Sequence, residues 1–374
     1  MSETGGILVL NSGSSSLKFG VYAADASEKV LLSGSAEGIG HASGSLHIRD
    51  GEGQTLVERE SVLESQEDAL KTLDKALREH LHAAPVAVGH RIVHGGPKLR
   101  EHQRITHDVL EELERAVHFA PLHIPTALKL VKQSQKIFLD VPQFACFDTV
   151  FHRTMPEVAA RLPVPDELYE KGVMRYGFHG ISYESVVHRL EPSVPARCII
   201  AHLGSGSSLV AVREGKSIDT TMGLTPTGGI PMATRSGDLD PGVLIYLLRA
   251  EGRNADELEE LLNRKSGLIA LSSGESDMQE LMKKAQAGDE HALLAMNAFV
   301  IAVRKQIGAY AALMGGLDLL VFTGGIGEHA EAIRQQICEG LEFLGVEPAS
   351  DKVKVLETQE ELQIARHCVE LLKT

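Results

Sequence analysis

A chain of 374 residues, 43% of them hydrophobic, can bury a large core and is long enough for two domains. Its 37 basic and 51 acidic side chains leave a net charge of −14, which excludes an extended duplex-binding surface and leaves no nucleic-acid partner to expect. Cys146, Cys198, Cys338 and Cys368 lack Cys-x-x-Cys spacing, and neither a basic leader nor an apolar run of membrane-spanning length is read, so a soluble cytoplasmic protein without a membrane partner is expected.

The first sixty residues alternate β-rich runs with glycine and serine turns: GGILVLN, SLKFGVYAA, KVLLSGSAEG, GSLHIRDGEG and QTLVERE. A helical period follows from Gln66 to His82, with Ala69, Leu70, Leu73, Leu77 and Leu81 on one face, and then the strand-like VAVGHRIVHGG. Helices are expected near Asp108 to Val117 and Pro125 to Phe138, before the apolar strand VPQFACFDT. The pattern then restarts. CIIAHLGSGSSLVAVREGKSIDTT is again strand, Gly/Ser turn, strand and strand, followed by a helix from Asp289 to Met314, the strand LDLLVFT and a helix from Glu328. ILVLNSGSSSLKFGVY and IIAHLGSGSSLVAVRE share one plan, a signature of internal duplication that would place a Gly/Ser hairpin on each side of a cleft.

No Gly-x-x-x-x-Gly-Lys-Ser/Thr loop is present, since Val210 stands where the look-alike at Gly215-Lys216-Ser217 needs its first glycine. Phosphate can instead be held by hairpins rich in glycine and hydroxyl side chains, whose amides point into the turn. Three segments qualify: Asn11 to Lys18, ending in a lysine charge; Gly204 to Ser208; and Thr323 to Glu328, which runs from a strand into a helix start. Each of them taken alone also reads as an ordinary tight turn. Strong polar residues interrupt apolar contexts at Arg91, Asp148, His179 and Arg235, at or near the ends of expected strands and glycine loops, where α/β folds gather ligands. For each arginine a structural ion pair is the alternative, and for His179 a satisfied turn residue.

The motifs NSGSSSLKFG, HRIVHGG, FDTVFH, RYGFHG, HLGSGSS, SIDTTMGLTP, TRSGDLDPG, FTGGIGE and EELQIAR, in this order from residue 11 to residue 366, resemble the acetate kinase family over nearly the whole chain. The resemblance implies two duplicated α/β domains of the actin-like, ribonuclease H-like kind with a cleft between them. Residues 1–148 with about 360–374 would form the N-terminal domain, and 149–359 the C-terminal domain carrying most of the nucleotide site. It implies Mg²⁺-dependent, in-line phosphoryl transfer from ATP to acetate, with Mn²⁺ as an alternative metal, in a homodimer. Arg91 and Arg235 would hold the carboxylate and the moving phosphoryl group, guanidinium forks suiting such oxygens better than lysine does. Asp148 matches the catalytic carboxylate, and His179 the donor to the in-flight phosphoryl oxygens. Asn11 and Glu360 match the metal positions, and Val93, Leu122, Phe178 and Pro226 the acyl pocket. The nucleotide positions fall on Lys18, on His202, Leu203, Gly204, Ser205 and Gly206, on Asp277, Met278 and Gln279, and on Gly324, Gly325, Ile326, Gly327 and Glu328.

Two departures concern the nucleotide. Ser205 replaces the family's asparagine in HLG-x-G, and Gln279 stands where an arginine is usual, so another nucleotide or pyrophosphate is the alternative donor. The alternative acceptors are propionate and other short-chain acids. A non-catalytic actin-like or chaperone-like protein would keep the glycine loops but have no use for Arg91, His179 and Arg235 together. A metal-dependent hydrolase lacks ligand spacing despite 17 histidines.

Overall fold

The computed structural model describes residues 5–13, 16–25, 27–60, 62–81, 84–347 and 350–374. Two compact units emerge. The first comprises the chain up to Val150 with Gly180–Ser185 and Gln359–Thr374; the second comprises Phe151–His179 and Val186–Thr358.

The first unit is built on eight strands: β1 (Gly6–Ser12), β2 (Leu17–Ala23), β3 (Val30–Glu37), β4 (Ser45–Asp50), β5 (Thr55–Glu60), β6 (Ala87–Ile92), β7 (Gln103–Arg104) and β8 (Gln143–Phe147). Their order across the sheet is β5-β4-β3-β2-β1-β6-β8-β7. Because side chains alternate along a strand, β1 sends Leu8 and Leu10 into one core, with Leu70, Leu73 and Leu77 of the helix Gln66–His80. It sends Ile7 and Val9 into another, with Ile364 and Cys368 of the C-terminal helix Glu360–Leu371. With both faces covered, the strand shows an uninterrupted apolar run. Gly89 on β6 makes the second packing feasible: a Cβ there would stand 2.6 Å from both Cys368 Sγ and Ile364 Cγ2.

The second unit carries β9 (Arg197–Leu203), β10 (Ser207–Arg213), β11 (Lys216–Thr220), β12 (Leu319–Thr323) and β13 (Val353–Val355), ordered β11-β10-β9-β12-β13. In both units an opening hairpin and a third strand run antiparallel, and two parallel strands extend the other side: β3-β2-β1-β6-β8 in the first, β11-β10-β9-β12-β13 in the second. This is the actin-like, ribonuclease H-like arrangement, present twice in one chain. The restart in the sequence is a repeat of topology.

Three expectations are corrected. The helix expected from Glu328 is two helices, Gly324–His329 and Glu331–Cys338, because the chain turns helical directly after β12 and its glycines form the first turn. The helix from Gln66 stops at His80, capped at its start by Ser65; His82 lies outside the described residues. Finally, the helix Glu290–Met314 is long and apolar enough to span a membrane by length and composition, contrary to the reading that no segment is. Ten of its residues are buried, Phe299, Val303 and Ile307 completely, in the core beneath β9 and β10.

His90, beside Arg91 on β6, is buried, and its Nε2 lies 2.7 Å from Gln143 Oε1. Burial lowers its pKa to about 4, the Gln143 bond resisting only in part. The unfolded chain gains this proton near pH 6.5 and the folded chain does not until about pH 4, so the contribution is present above pH 6.5 and lost as pH falls. We expect about 2 kcal/mol of stability to be lost between pH 6.5 and pH 5 on this account. Urea unfolding of His90→Gln at pH 7 and pH 5 should show a difference smaller by that amount than in the parent.

Candidate active site

Three neighbouring parallel strands of the first unit end in polar residues. β1 presents Asn11 and β6 presents Arg91, while Asp148 follows the last residue of β8. Strand ends of this kind are where an α/β sheet leaves backbone groups and side chains free to meet a ligand. Arg91 Nη2 donates to Asp148 Oδ2 at 2.7 Å, and its Nε lies 3.1 Å from each carboxylate oxygen. Arg91 Nη1 donates to Asn11 Oδ1 at 3.1 Å and lies 3.6 Å from Glu360 Oε2. Asn11 Nδ2 in turn donates to Glu361 Oε1 at 2.9 Å and reaches Glu360 Oε2 at 3.4 Å. Both glutamates belong to the first turn of the C-terminal helix, so packing that helix on Gly89 brings residues some 350 positions away to Asn11.

These groups are nearly dry: the Asp148 side chain is 2% exposed, that of Glu360 12% and that of Arg91 18%. Burial opposes the charge of Arg91, but Asp148 and Glu360 outweigh it and hold the guanidinium protonated, above its ordinary pKa. Burial pushes Asp148 up to about 6 against the pull of Arg91, with the Glu360 and Glu184 charges adding to the rise. Lys18 pairs with Asn11 across the β1–β2 hairpin and is exposed; Ser14 and Ser15 of that turn lie outside the described residues.

The second unit gathers a separate set. His179 sits in the left-handed region at φ +59° as the residue before the helix Gly180–Leu190. Its Nδ1 is 2.9 Å from Ser208 Oγ on β10, and its ring stacks on His202 of β9 with centroids 4.3 Å apart. A Cβ added to Gly206 would lie 3.4 Å from His179 Nε2 and 3.5 Å from Arg235 Nη1, so the glycine keeps the space shared by both side chains and the hairpin open. Arg235 is oriented by Pro226, whose carbonyl accepts from Nη1 at 3.1 Å. Beside that hairpin lies the turn after β12. Gly324, at φ +77°, would drive a Cβ to 2.8 Å from the Leu203 carbonyl oxygen, and its N–H donates to Glu328 Oε1 at 2.8 Å. A Cβ added to Gly204 would lie 3.9 Å from Gly325 N, so HLGSGSS and FTGGIGE stand side by side as one glycine-walled surface.

The remaining expected residues are placed as follows. Val93 and Leu122, both partly exposed, belong to the first unit; Phe178, 1% exposed, and buried Pro226 belong to the second. Asp277 caps the helix Met278–Gln286, accepting from Gln279 N and Glu280 N, while Gln279 is exposed. Met278 is core, 4% exposed, so its side chain serves packing. Ser205 is exposed at the hairpin tip, Leu203 is buried, and Ile326 is partly buried against the second core. Gly327 is buried beneath β12. Glu361 escaped sequence reasoning, although the doubled glutamate in TQEELQIAR was its signal.

This order of motifs on two repeated sheets invites comparison with known proteins, and the sequence profile of the acetokinase family matches residues 6–367. The chain belongs to the acetokinase family. An acetate kinase of Coprothermobacter proteolyticus is 42% identical over 397 aligned residues, covering 98% of this chain and 99% of that protein. Among solved structures, the acetate kinase of Porphyromonas gingivalis superposes with a TM-score of 0.86 at 36% identity, over 98% of this chain and all of its own. A propionate kinase from Francisella tularensis gives 0.88 at 37% identity over 97% and 98%. Membership makes the protein a phosphotransferase with a carboxyl group as acceptor.

Proposed function

We propose that the protein is an acetate kinase that moves the γ-phosphoryl group of ATP to acetate in one reversible in-line step. A carboxylate oxygen of acetate forms the new P–O bond as the bond to the departing ADP oxygen breaks. The observation that carries this reading is the dry Arg91–Asp148 pair at the ends of β6 and β8, which fixes a guanidinium beside Asn11 and Glu360. Acetate is already ionised, so Asp148 has no substrate proton to remove; it orients Arg91 and the acceptor. Arg91 and Arg235 would meet the carboxylate and phosphoryl oxygens and His179 Nε2 the equatorial oxygens of the moving group, where positioning and charge neutralisation would supply most of the acceleration. Val93, Leu122, Phe178 and Pro226 would bound the methyl group. A methylene is worth only about 1–3 kcal/mol, so propionate should react more slowly, not fail.

A divalent metal fits the first unit. Asp148, Glu360 and Glu361 place three carboxylates around one guanidinium, leaving an excess of two negative charges, and Asn11 adds an amide oxygen, all hard donors that suit Mg²⁺ or Mn²⁺. Asn11 and Glu360 would hold it, and Glu361 would orient Asn11. When bound, such an ion neutralises phosphate charge. The glycine surface of the second unit, with His202, Ser205, Gly206 and Gly324 to Glu328, would take the nucleotide phosphates, and Asp277 and Gln279 the nucleoside.

Two readings of the donor follow from the second unit. ATP is the family substrate, but exposed Ser205 offers no amide where asparagine is usual and exposed Gln279 no guanidinium where arginine is usual, which favours loosened ATP affinity or use of GTP or pyrophosphate. The deciding experiment is acyl-phosphate trapping as hydroxamate with acetate, propionate and butyrate against ATP, GTP and pyrophosphate, with and without Mg²⁺. We expect acetate with ATP to give the highest kcat/KM and activity to vanish without metal. Ordinary ATP saturation with no use of the other donors removes the altered-donor reading, and no acyl phosphate from any pair removes the function.

A homodimer is proposed on the second unit. The helix Pro241–Arg249 buries none of its residues, and Val243, Ile245, Tyr246 and Leu248 are 39–58% exposed, beside Leu239. A helix of that composition is stabilised only by covering its apolar side, and a second copy of the chain is the commonest cover. Sedimentation should find a dimer that Ile245→Glu with Tyr246→Glu converts to a folded monomer; unchanged sedimentation excludes this face. The four described cysteines are free and buried, as suits a reducing cytoplasm.

A further inference from the structure

Behind the first unit's catalytic cluster lies a second polar group that the reaction does not use. His102, Glu184 and His367 come from the loop before β7, the helix Gly180–Leu190 and the C-terminal helix, and their side chains are only 9–16% exposed. Glu184 Oε1 lies 3.4 Å from His102 Nε2, and Glu184 Oε2 lies 2.8 Å from His367 Nε2, with the two imidazole rings 4.1 Å apart. Two imidazoles and a carboxylate suggest a transition-metal site, but the hydrogen bonding speaks against one. His102 Nδ1 accepts the Phe147 N–H at 3.1 Å, so the ring proton of neutral His102 resides on Nε2 and points at Glu184. A metal would require that nitrogen bare.

The clasp ties together the backbone that carries the catalytic residues. Phe147, held by His102, immediately precedes Asp148. The Asp148 carbonyl accepts from Gly180 N at 2.8 Å, four residues or about one turn ahead of Glu184 on the same helix. Ser185 Oγ, the next residue, accepts from Gln359 N at 3.2 Å, directly before Glu360 and Glu361. Glu184 therefore stands where the end of β8, the start of the helix Gly180–Leu190 and the C-terminal helix are all bonded to one another.

We propose that Glu184, gripped by His102 and His367, is a positioning residue that sets Asp148 and the Glu360–Glu361 pair in register for metal-dependent phosphoryl transfer. The inference rests on the metal assignment above. Without the clasp, Phe147 and the C-terminal helix keep their apolar packing, but the carboxylates at their ends lose alignment at the ångström scale that positioning requires.

The test uses the full chain with Glu184→Ala and Glu184→Gln, the amide of the latter still accepting from one imidazole. For Glu184→Ala we expect kcat to fall about tenfold and the Mg²⁺ half-saturation to rise about tenfold, while KM for ATP stays within twofold. Glu184→Gln should recover most of both losses, and it carries the test alone if the alanine variant does not fold, with an effect between twofold and tenfold. Kinetics within twofold of the parent for Glu184→Ala, or for Glu184→Gln when it is the only folded variant, overturn the proposal, as do equal losses in the two variants. Stoichiometric Zn²⁺ binding to the parent in titration calorimetry, abolished by Glu184→Ala, overturns it in favour of a metal site. Asn11→Ala is the control: if it leaves Mg²⁺ half-saturation unchanged, the metal assignment fails separately, and kcat through Asp148 remains the measure of the clasp.

Discussion

Arg91→Ala is expected to lower kcat/KM for acetate by about 10³-fold and to destabilise the first unit by about 3–5 kcal/mol. The two effects share a cause. Asp148 is 2% exposed and receives its charge-assisted bonds from Arg91, so truncating the arginine leaves a carboxylate without its counter-charge in a dry site. The folded chain answers by binding a proton there, since burial already raises Asp148 to about 6 and Arg91 is the group that restrains it. Arg91→Lys should recover stability more than activity, because an ammonium keeps the charge but cannot fork across both Asp148 oxygens while reaching Asn11. Hydroxamate kinetics and urea unfolding on the same preparations check this; an Arg91→Ala enzyme within tenfold of the parent would exclude a role for the guanidinium in the reaction.

His179→Ala is expected to reduce kcat about 10²- to 10³-fold while KM for acetate changes less than threefold, the pattern of an interaction made in the transition state and not with the bound substrate. Its Nδ1 lies 2.9 Å from Ser208 Oγ and its ring stacks on His202, with Nε2 3.4 Å from where a Cβ on Gly206 would stand. Ser208→Ala should cost less, because the His202 stack still orients the ring. Asparagine also tolerates the left-handed backbone at this position, so His179→Asn should fold normally and keep part of the activity. A parallel loss of kcat and acetate affinity in His179→Ala would reassign the residue to substrate binding.

Much of this protein is legible along the chain, for a physical reason in each case. The strands of β1 to β5 and of β9 to β11 announce themselves through short apolar runs punctuated by Gly/Ser turns, and the helices Gln66–His80 and Glu290–Met314 through period and length. The acetokinase motifs are equally local, because tight turns demand glycine at particular backbone positions such as Gly324, at φ +77°. What escapes is short or assembled from a distance. β7 has two residues and β13 three, too few to show any period. The helix Gly180–Leu190 opens from a histidine with left-handed backbone and without a side-chain cap, so the usual start signal is missing.

From composition and motif order alone come the α/β class, the duplicated opening and the residues Arg91, Asp148, His179 and Arg235. Tertiary structure alone decided that Arg91 forks onto Asp148, that Asn11 meets both Glu360 and Glu361, and that His102 and His367 close on Glu184. Local periodicity records which way a side chain faces on its own element. Which distant charge it meets depends on the packing of elements hundreds of residues apart, here the C-terminal helix seated on Gly89.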